Sequence, residues 1–233
     1  MNQVDLLFSE SGGKFCISVQ EFQQKLTRIK AFAFDWDGVF NAGIKSVQAG
    51  STFSEPDAMG INLLRFSGWL AQRHVPKITI FSGEENKDGL YLAKREHFSS
   101  VYFKSVNKIK SFNHFVNSHG LSPEEILFVF DDVLDLSLAE VCGVRIQVSR
   151  SASPMLNHFV ISHRLADYVT AHDGSNFAVR EACELIMGLN GSFETTVRQR
   201  MDFNDNYRSY LAERNRTETS VYHYSNEEIK PVN

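Results

Sequence analysis

The chain lacks most of the features that mark a membrane, secreted or nucleic-acid-binding protein. No stretch of about 18 residues is both apolar and free of charge, as a membrane span requires. The opening Met1-Asn2-Gln3-Val4-Asp5 has no basic region of the kind that starts a secretory signal. A soluble, cytoplasmic protein without a membrane partner is the expectation. Cysteine is scarce: Cys16, Cys142 and Cys183 are too far apart for a disulfide framework or a zinc knuckle and read as small buried apolar residues. Positive charge is not in excess, since 24 Lys and Arg face 28 Asp and Glu for a net charge of -4. No broad basic field therefore recommends nucleic acid as a partner. Familiar catalytic strings are missing too. Gly12-Gly13-Lys14 is followed by Phe15 rather than serine or threonine, no GxGxxG, HExxH or GxSxG string occurs, and the 8 histidines show no metal-ligand spacing.

What is present is a chain of 233 residues with 42% hydrophobic content, enough to bury a full core. Apolar runs bounded by turn residues recur at 31–34, 78–81, 101–103 and 126–130, with amphipathic stretches of helical length between them. That alternation predicts an α/β fold, a three-layer Rossmann-like parallel sheet covered on both faces. Asp57 and Ser105 are candidate caps for the helices that follow them, and Ser122-Pro123-Glu124-Glu125 marks a turn into the next strand. Between Gly38 and Pro56, apolar and polar residues alternate, with Gly43 and Gly50 placed for chain reversal, so a short β-hairpin is expected at 39–56 and no large cap. Residues 1–191 read as the main domain. Residues 192–233 read as a C-terminal extension, helical at first and mobile over the last dozen positions.

The chemistry gathers at strand ends. Ala31-Phe32-Ala33-Phe34-Asp35-Trp36-Asp37-Gly38 is a buried strand ending in two carboxylates one residue apart, and in open α/β sheets ligands sit beyond the carboxyl ends of strands. A calcium loop needs an acid or amide at position 39 and a glutamate at 46, where the chain has Val39 and Ser46. Ser82 and Gly83 offer a hydroxyl and a backbone amide to a phosphate oxygen, although a serine after a strand is also an ordinary helix cap. Lys108 stands near the start of a helix where an ammonium neutralises a phosphoryl group, with Lys104 and Lys110 as competitors. Asp131, Asp132 and Asp135 follow the strand at 126–130. Such crowding of like charge calls for a cation, and magnesium suits an all-oxygen donor set; acids opening a helix account less easily for all three.

This set of four motifs, in this order across nearly the whole chain, resembles the haloacid dehalogenase superfamily. The resemblance implies a phosphatase in which Asp35 attacks phosphorus and Asp37 acts as general acid and then base. It implies that Ser82, Gly83 and Lys108 hold the phosphoryl oxygens. Mg2+ would be bound by the Asp35 carboxylate, the Asp37 backbone carbonyl and Asp131, with Asp132 and Asp135 supporting the metal shell and the lysine. Within the superfamily the chain is most similar to the capless 3-deoxy-D-manno-octulosonate 8-phosphate phosphatase family, through the short insertion, Asp57-x-x-Gly60-Ile61, Asn107-Lys108 and Ala178-Val179-Arg180-Glu181. That likeness implies a small phosphorylated sugar or sugar acid as substrate and a homotetramer with each active site near a subunit interface. Arg180 has two readings of equal weight, a reach toward the substrate of an adjacent subunit or a surface pair with a nearby acid.

Ser82 stands where the family has threonine and keeps its hydroxyl, but the chain departs more sharply from that pattern at three further places. Phe130 and Leu134 stand where the family has glycine and asparagine, and Glu84 stands where it has arginine. Glu84 sets an anion near the mouth of the site and Phe130 adds bulk beside the metal. These substitutions support a second expectation, a catalytically weak or inactive family member serving as an oligomeric binding or assembly subunit.

Overall fold

The computed structural model describes residues 3–45 and 51–232. In chain order its strands are β1 (Lys14–Phe15), β2 (Ala31–Asp35), β3 (Lys77–Phe81), β4 (Ser100–Phe103), β5 (Ile126–Phe130), β6 (Val144–Gln147), β7 (Tyr168–Val169), β8 (Ser220–Ser225) and β9 (Glu228–Pro231). The helices are α1 (Gln3–Glu10), α2 (Val19–Leu26), α3 (Glu55–Gln72), α4 (Lys87–Arg95), α5 (Lys108–His119), α6 (Leu136–Ala139), α7 (Pro154–Ser162), α8 (Ala178–Leu189), α9 (Phe193–Met201) and α10 (Asp205–Arg214).

Among the described residues the strands form one sheet in the order β1-β7-β6-β5-β2-β3-β4-β8-β9. Every pairing from β7 across to β8 is parallel, and only the edge strands β1 and β9 pair antiparallel. Because side chains alternate along a strand, the sheet has two apolar faces and three layers. Phe32, Phe34, Ile78, Ile80, Leu127 and Val129 pack under α2, α3, α4 and α8. Ala31, Ala33, Phe81, Ile126, Phe128 and Phe130 pack under α5, α6 and α7. The chain leaves β2 toward β3 on one side while β5 flanks it on the other, so the strand order reverses at β2. That reversal opens a crevice beyond the carboxyl ends of β2 and β5.

The helix starts differ in detail from the sequence reading. Ser54, not Asp57, caps α3 by accepting the Asp57 N–H at 3.1 Å. Asp57 sits inside the first turn, where its carboxylate accepts the Arg180 N–H at 2.8 Å and ties α3 to α8. Asn107, not Ser105, precedes α5, and the Ser105 hydroxyl bonds to that of Ser111 instead. The central residues of the hairpin expected at 39–56, positions 46–50, lie outside the described residues. On either side, 39–45 and 51–54 run as a turn and irregular chain.

The end of the chain does not stay loose. Residues 220–231 form β8 and β9, and β8 continues the parallel sheet beside β4 with Tyr222 stacked on Tyr102 at 4.9 Å. The polar sequence concealed this because the edge of a sheet needs backbone partners more than apolar side chains. The α10 helix is anchored by Tyr207 and Tyr210, which bury against Phe66 and Trp69 of α3. No helix among the described residues is long and apolar enough to cross a membrane.

Candidate active site

Residue parity on β2 aims Asp35 at the same face as Ala31 and Ala33, beneath the first turn of α5. Lys108 opens α5, and its ammonium donates to Asp35 Oδ1 and, at 2.5 Å, to Asp135 Oδ1. All three side chains are buried. Burial opposes the charge on Lys108, but the two carboxylates outweigh it and hold its pKa above the ordinary lysine range. The other lysines considered are elsewhere: Lys104 pairs with Glu85 at 3.1 Å, and Lys110 is exposed.

Beyond Asp35 the chain turns at once. Trp36 swings inward to stack on Phe40 at 4.9 Å, which leaves Asp37 half-buried, accepting the Ser51 hydroxyl and pairing with Lys45 at 3.1 Å. Gly38 follows at φ +90, where an L side chain is strained, and an added Cβ would lie 2.0 Å from Asp131 Oδ2. Only glycine lets the β2 turn and the β5 end approach this closely.

After β5, Asp132 caps a short 3-10 turn over Val133–Asp135. That turn folds Asp135 back, so that its Oδ2 accepts the N–H of Asp132 at 3.2 Å and of Asp131 at 3.4 Å. Asp131 Oδ2 accepts from the Arg150 guanidinium, which also reaches Asp132 at 3.4 Å. Asp131 Oδ1 is buried with no hydrogen-bond partner. One carboxylate oxygen from each of Asp35, Asp131 and Asp135 lies within 4.8 Å of the others. Burial, then the Asp135 charge, raises Asp35 to about 6 against the pull of Lys108. Burial, then the charges of Asp35 and Asp135, raises Asp131 to about 9 against the pull of Arg150. A buried acidic cluster with an orphaned oxygen and only oxygen donors fits a hard divalent cation such as magnesium.

These groups form the floor of a cleft of about 320 Å³, with Glu84, Val106 and Leu134 on its exposed lining. Gly83 lines it as well, with open space over its α-carbon. Ser82 is buried at the end of β3, and its hydroxyl accepts the Glu84 N–H at 3.3 Å. Asp35, Asp37, Gly83, Lys108, Asp131, Asp132 and Asp135 therefore meet at one place. Arg180 does not line this cleft; its guanidinium pairs with Glu184 at 2.6 Å, one turn along α8. Phe130 does not crowd the acids either, because it is fully buried and stacks on Phe128 under the α5 layer. Arg150, Lys45 and Ser51 escaped the sequence reading. For Arg150 a signal existed in the strand order, since it follows β6, the neighbour of β5.

No protein-family model matches the chain. Over 174 residues it is 25% identical to the 3-deoxy-D-manno-octulosonate 8-phosphate phosphatase of Escherichia coli, covering 73% of this chain and 85% of that one. A haloacid dehalogenase superfamily hydrolase, subfamily III A, from Legionella pneumophila matches 78% of this chain and 95% of its own, with a TM-score of 0.65 and 26% identity. The fold is that of the haloacid dehalogenase hydrolases. The 3-deoxy-D-manno-octulosonate 8-phosphate phosphatase of Moraxella catarrhalis, solved with magnesium, phosphate and KDO, shares this fold. It matches 80% of this chain and 100% of its own at a TM-score of 0.65 and 24% identity. The homologues of this haloacid dehalogenase-like chain are thus named phosphatases and hydrolases.

Proposed function

We propose that this chain is a phosphatase acting on a small phosphorylated sugar, with Asp35 as nucleophile and a divalent cation of the magnesium type. One observation carries the reading: the Asp35, Asp131 and Asp135 oxygens converge within 4.8 Å beside Lys108, at the crevice where the strand order reverses. Asp35, Asp131 and the Asp37 backbone carbonyl would hold the cation, which supplies charge neutralisation to the phosphoryl group when bound.

The protein's own groups perform the bond changes. Lys108 and the Gly83 amide hold the phosphoryl oxygens in line with Asp35, and the buried Ser82 hydroxyl supports the turn that presents Gly83 by accepting the Glu84 N–H. An Asp35 oxygen bonds to phosphorus as the ester bond breaks, and the departing oxygen takes a proton from Asp37. Water then attacks the phosphorus carried on Asp35, gives a proton to Asp37, and the Asp35–phosphorus bond breaks to release phosphate. Lys45 and Ser51 keep the Asp37 carboxyl in position for both transfers.

The reading as an inactive assembly subunit is not favoured, since Phe130 packs away from the cleft and the relatives are phosphatases. A homotetramer with each cleft near a subunit interface belongs to the proposal and is tested by sedimentation. The activity test is hydrolysis of para-nitrophenyl phosphate with magnesium, with chelator, and in Asp35→Asn. Turnover that requires the metal and vanishes in the variant supports the proposal; an undiminished rate in Asp35→Asn overturns it.

A further inference from the structure

The exposed lining of the cleft carries one charge with no counterpart. Glu84 stands two residues beyond Ser82, and no ion pair forms on its carboxylate among the described residues. The cations around the cleft are engaged elsewhere: Lys104 by Glu85 at 3.1 Å, Lys45 by Asp37 at 3.1 Å, Lys108 by Asp35 and Asp135, and Arg150 by Asp131 and Asp132. Six of the lining side chains are acids and two are lysines; Lys45, Lys108 and Arg150 between them pair with five of those acids, and Glu84 is the one left over. Two apolar side chains complete the lining, Val106 at 69% exposure and Leu134 at 63%, each leaving hydrocarbon in water.

These features discriminate among leaving groups. The phosphoryl oxygens find Lys108 and backbone amides on the floor, but a second anion on the same molecule would meet Glu84, while both lysines of the lining are already paired with Asp37, Asp35 and Asp135. Like charges set together without compensation select against that partner. A hydroxyl or ammonium finds an acceptor in the same carboxylate, and the carbon-bound face of a sugar ring can cover Val106 and Leu134 and release water. The geometry points to a substrate whose leaving group is neutral or amine-bearing, has an apolar face and carries no carboxylate, with Glu84 as the residue that selects it. This inference rests on the phosphatase reading and narrows it to neutral or amino sugars over sugar acids.

The test compares kcat/KM for glucose 6-phosphate, glucosamine 6-phosphate and 6-phosphogluconate, which present hydroxyl, amine and carboxylate groups on a six-carbon chain. The unaltered protein should favour the first two over the third by about tenfold, the scale of one uncompensated charge contact in a partly exposed site. Glu84→Gln should shrink that ratio, and Glu84→Arg should invert it. Equal or better hydrolysis of the carboxylate compound by the unaltered protein overturns the inference, as does an unchanged ratio in Glu84→Arg. Para-nitrophenyl phosphate separates the two levels. If it is hydrolysed while the carboxylate compound is preferred, only the present inference falls; if it is not hydrolysed, the phosphatase reading falls and takes this inference with it.

Discussion

The Lys108 ammonium is the shared donor to Asp35 and Asp135, and it joins the end of β2 to the turn after β5 in a buried site. Removing it by Lys108→Met leaves two buried carboxylates facing each other without a cation. In metal-free protein above neutral pH this should cost about 3–5 kcal/mol of stability, the usual penalty for breaking a buried pair from one side. The loss should shrink as pH falls toward 6, because without the lowering pull of Lys108 Asp35 takes up a proton more readily. Denaturant titrations with chelator at two pH values measure both effects, and an equal cost at both would contradict the assignment.

Stability in chelator should fall as pH rises. Asp35 and Asp131 are raised to about 6 and about 9 in the folded chain, so folding strengthens their hold on a proton. The stabilisation this gives is complete below the ordinary carboxylate range and is lost as pH climbs through those two values. Magnesium requires the deprotonated carboxylates, so the rise in Tm on adding it should grow over the same interval. Thermal melts from pH 5 to pH 9, with magnesium and with chelator, supply the comparison; a magnesium effect that is the same at both ends would count against a carboxylate metal site.

Arg150 takes Asp131 Oδ2 and leaves Oδ1 without a hydrogen-bond partner, so we expect it to position a metal ligand. Arg150→Gln should weaken magnesium binding by roughly 10- to 100-fold, the range for lost partners of metal ligands. Isothermal titration calorimetry reads this directly, and Arg150→Lys should restore part of the loss. Tighter binding in Arg150→Gln would mean that the guanidinium competes with the cation instead.

The hairpin of β8 and β9 covers the edge of β4 and stacks Tyr222 on Tyr102, yet no residue of 216–232 lines the cleft. Ending the chain after Asn215 should therefore lower Tm and increase self-association through the bared strand edge, while the remaining folded fraction keeps its turnover of para-nitrophenyl phosphate. Light scattering and activity per folded molecule test the two halves of this expectation. Loss of turnover from protein that is still folded and monodisperse would assign the hairpin a role at the site.

The sequence by itself determined the four central strands of the sheet and singled out the acids that cluster beside them. Runs such as Ala31-Phe32-Ala33-Phe34 are apolar throughout, as a strand buried on both faces requires, and the runs at 31–34 and 126–130 end in the acids that the crevice gathers. Local pattern carries that information because it is written in neighbouring residues. Tertiary structure decided what depends on residues far apart in the chain. It made Lys108 rather than Lys104 or Lys110 the partner of Asp35, brought Arg150 onto Asp131 from the next strand over, and held Phe130 out of the cleft. It also paired the polar segment at 220–231 with β4, since backbone hydrogen bonding at a sheet edge leaves almost no mark on side-chain composition.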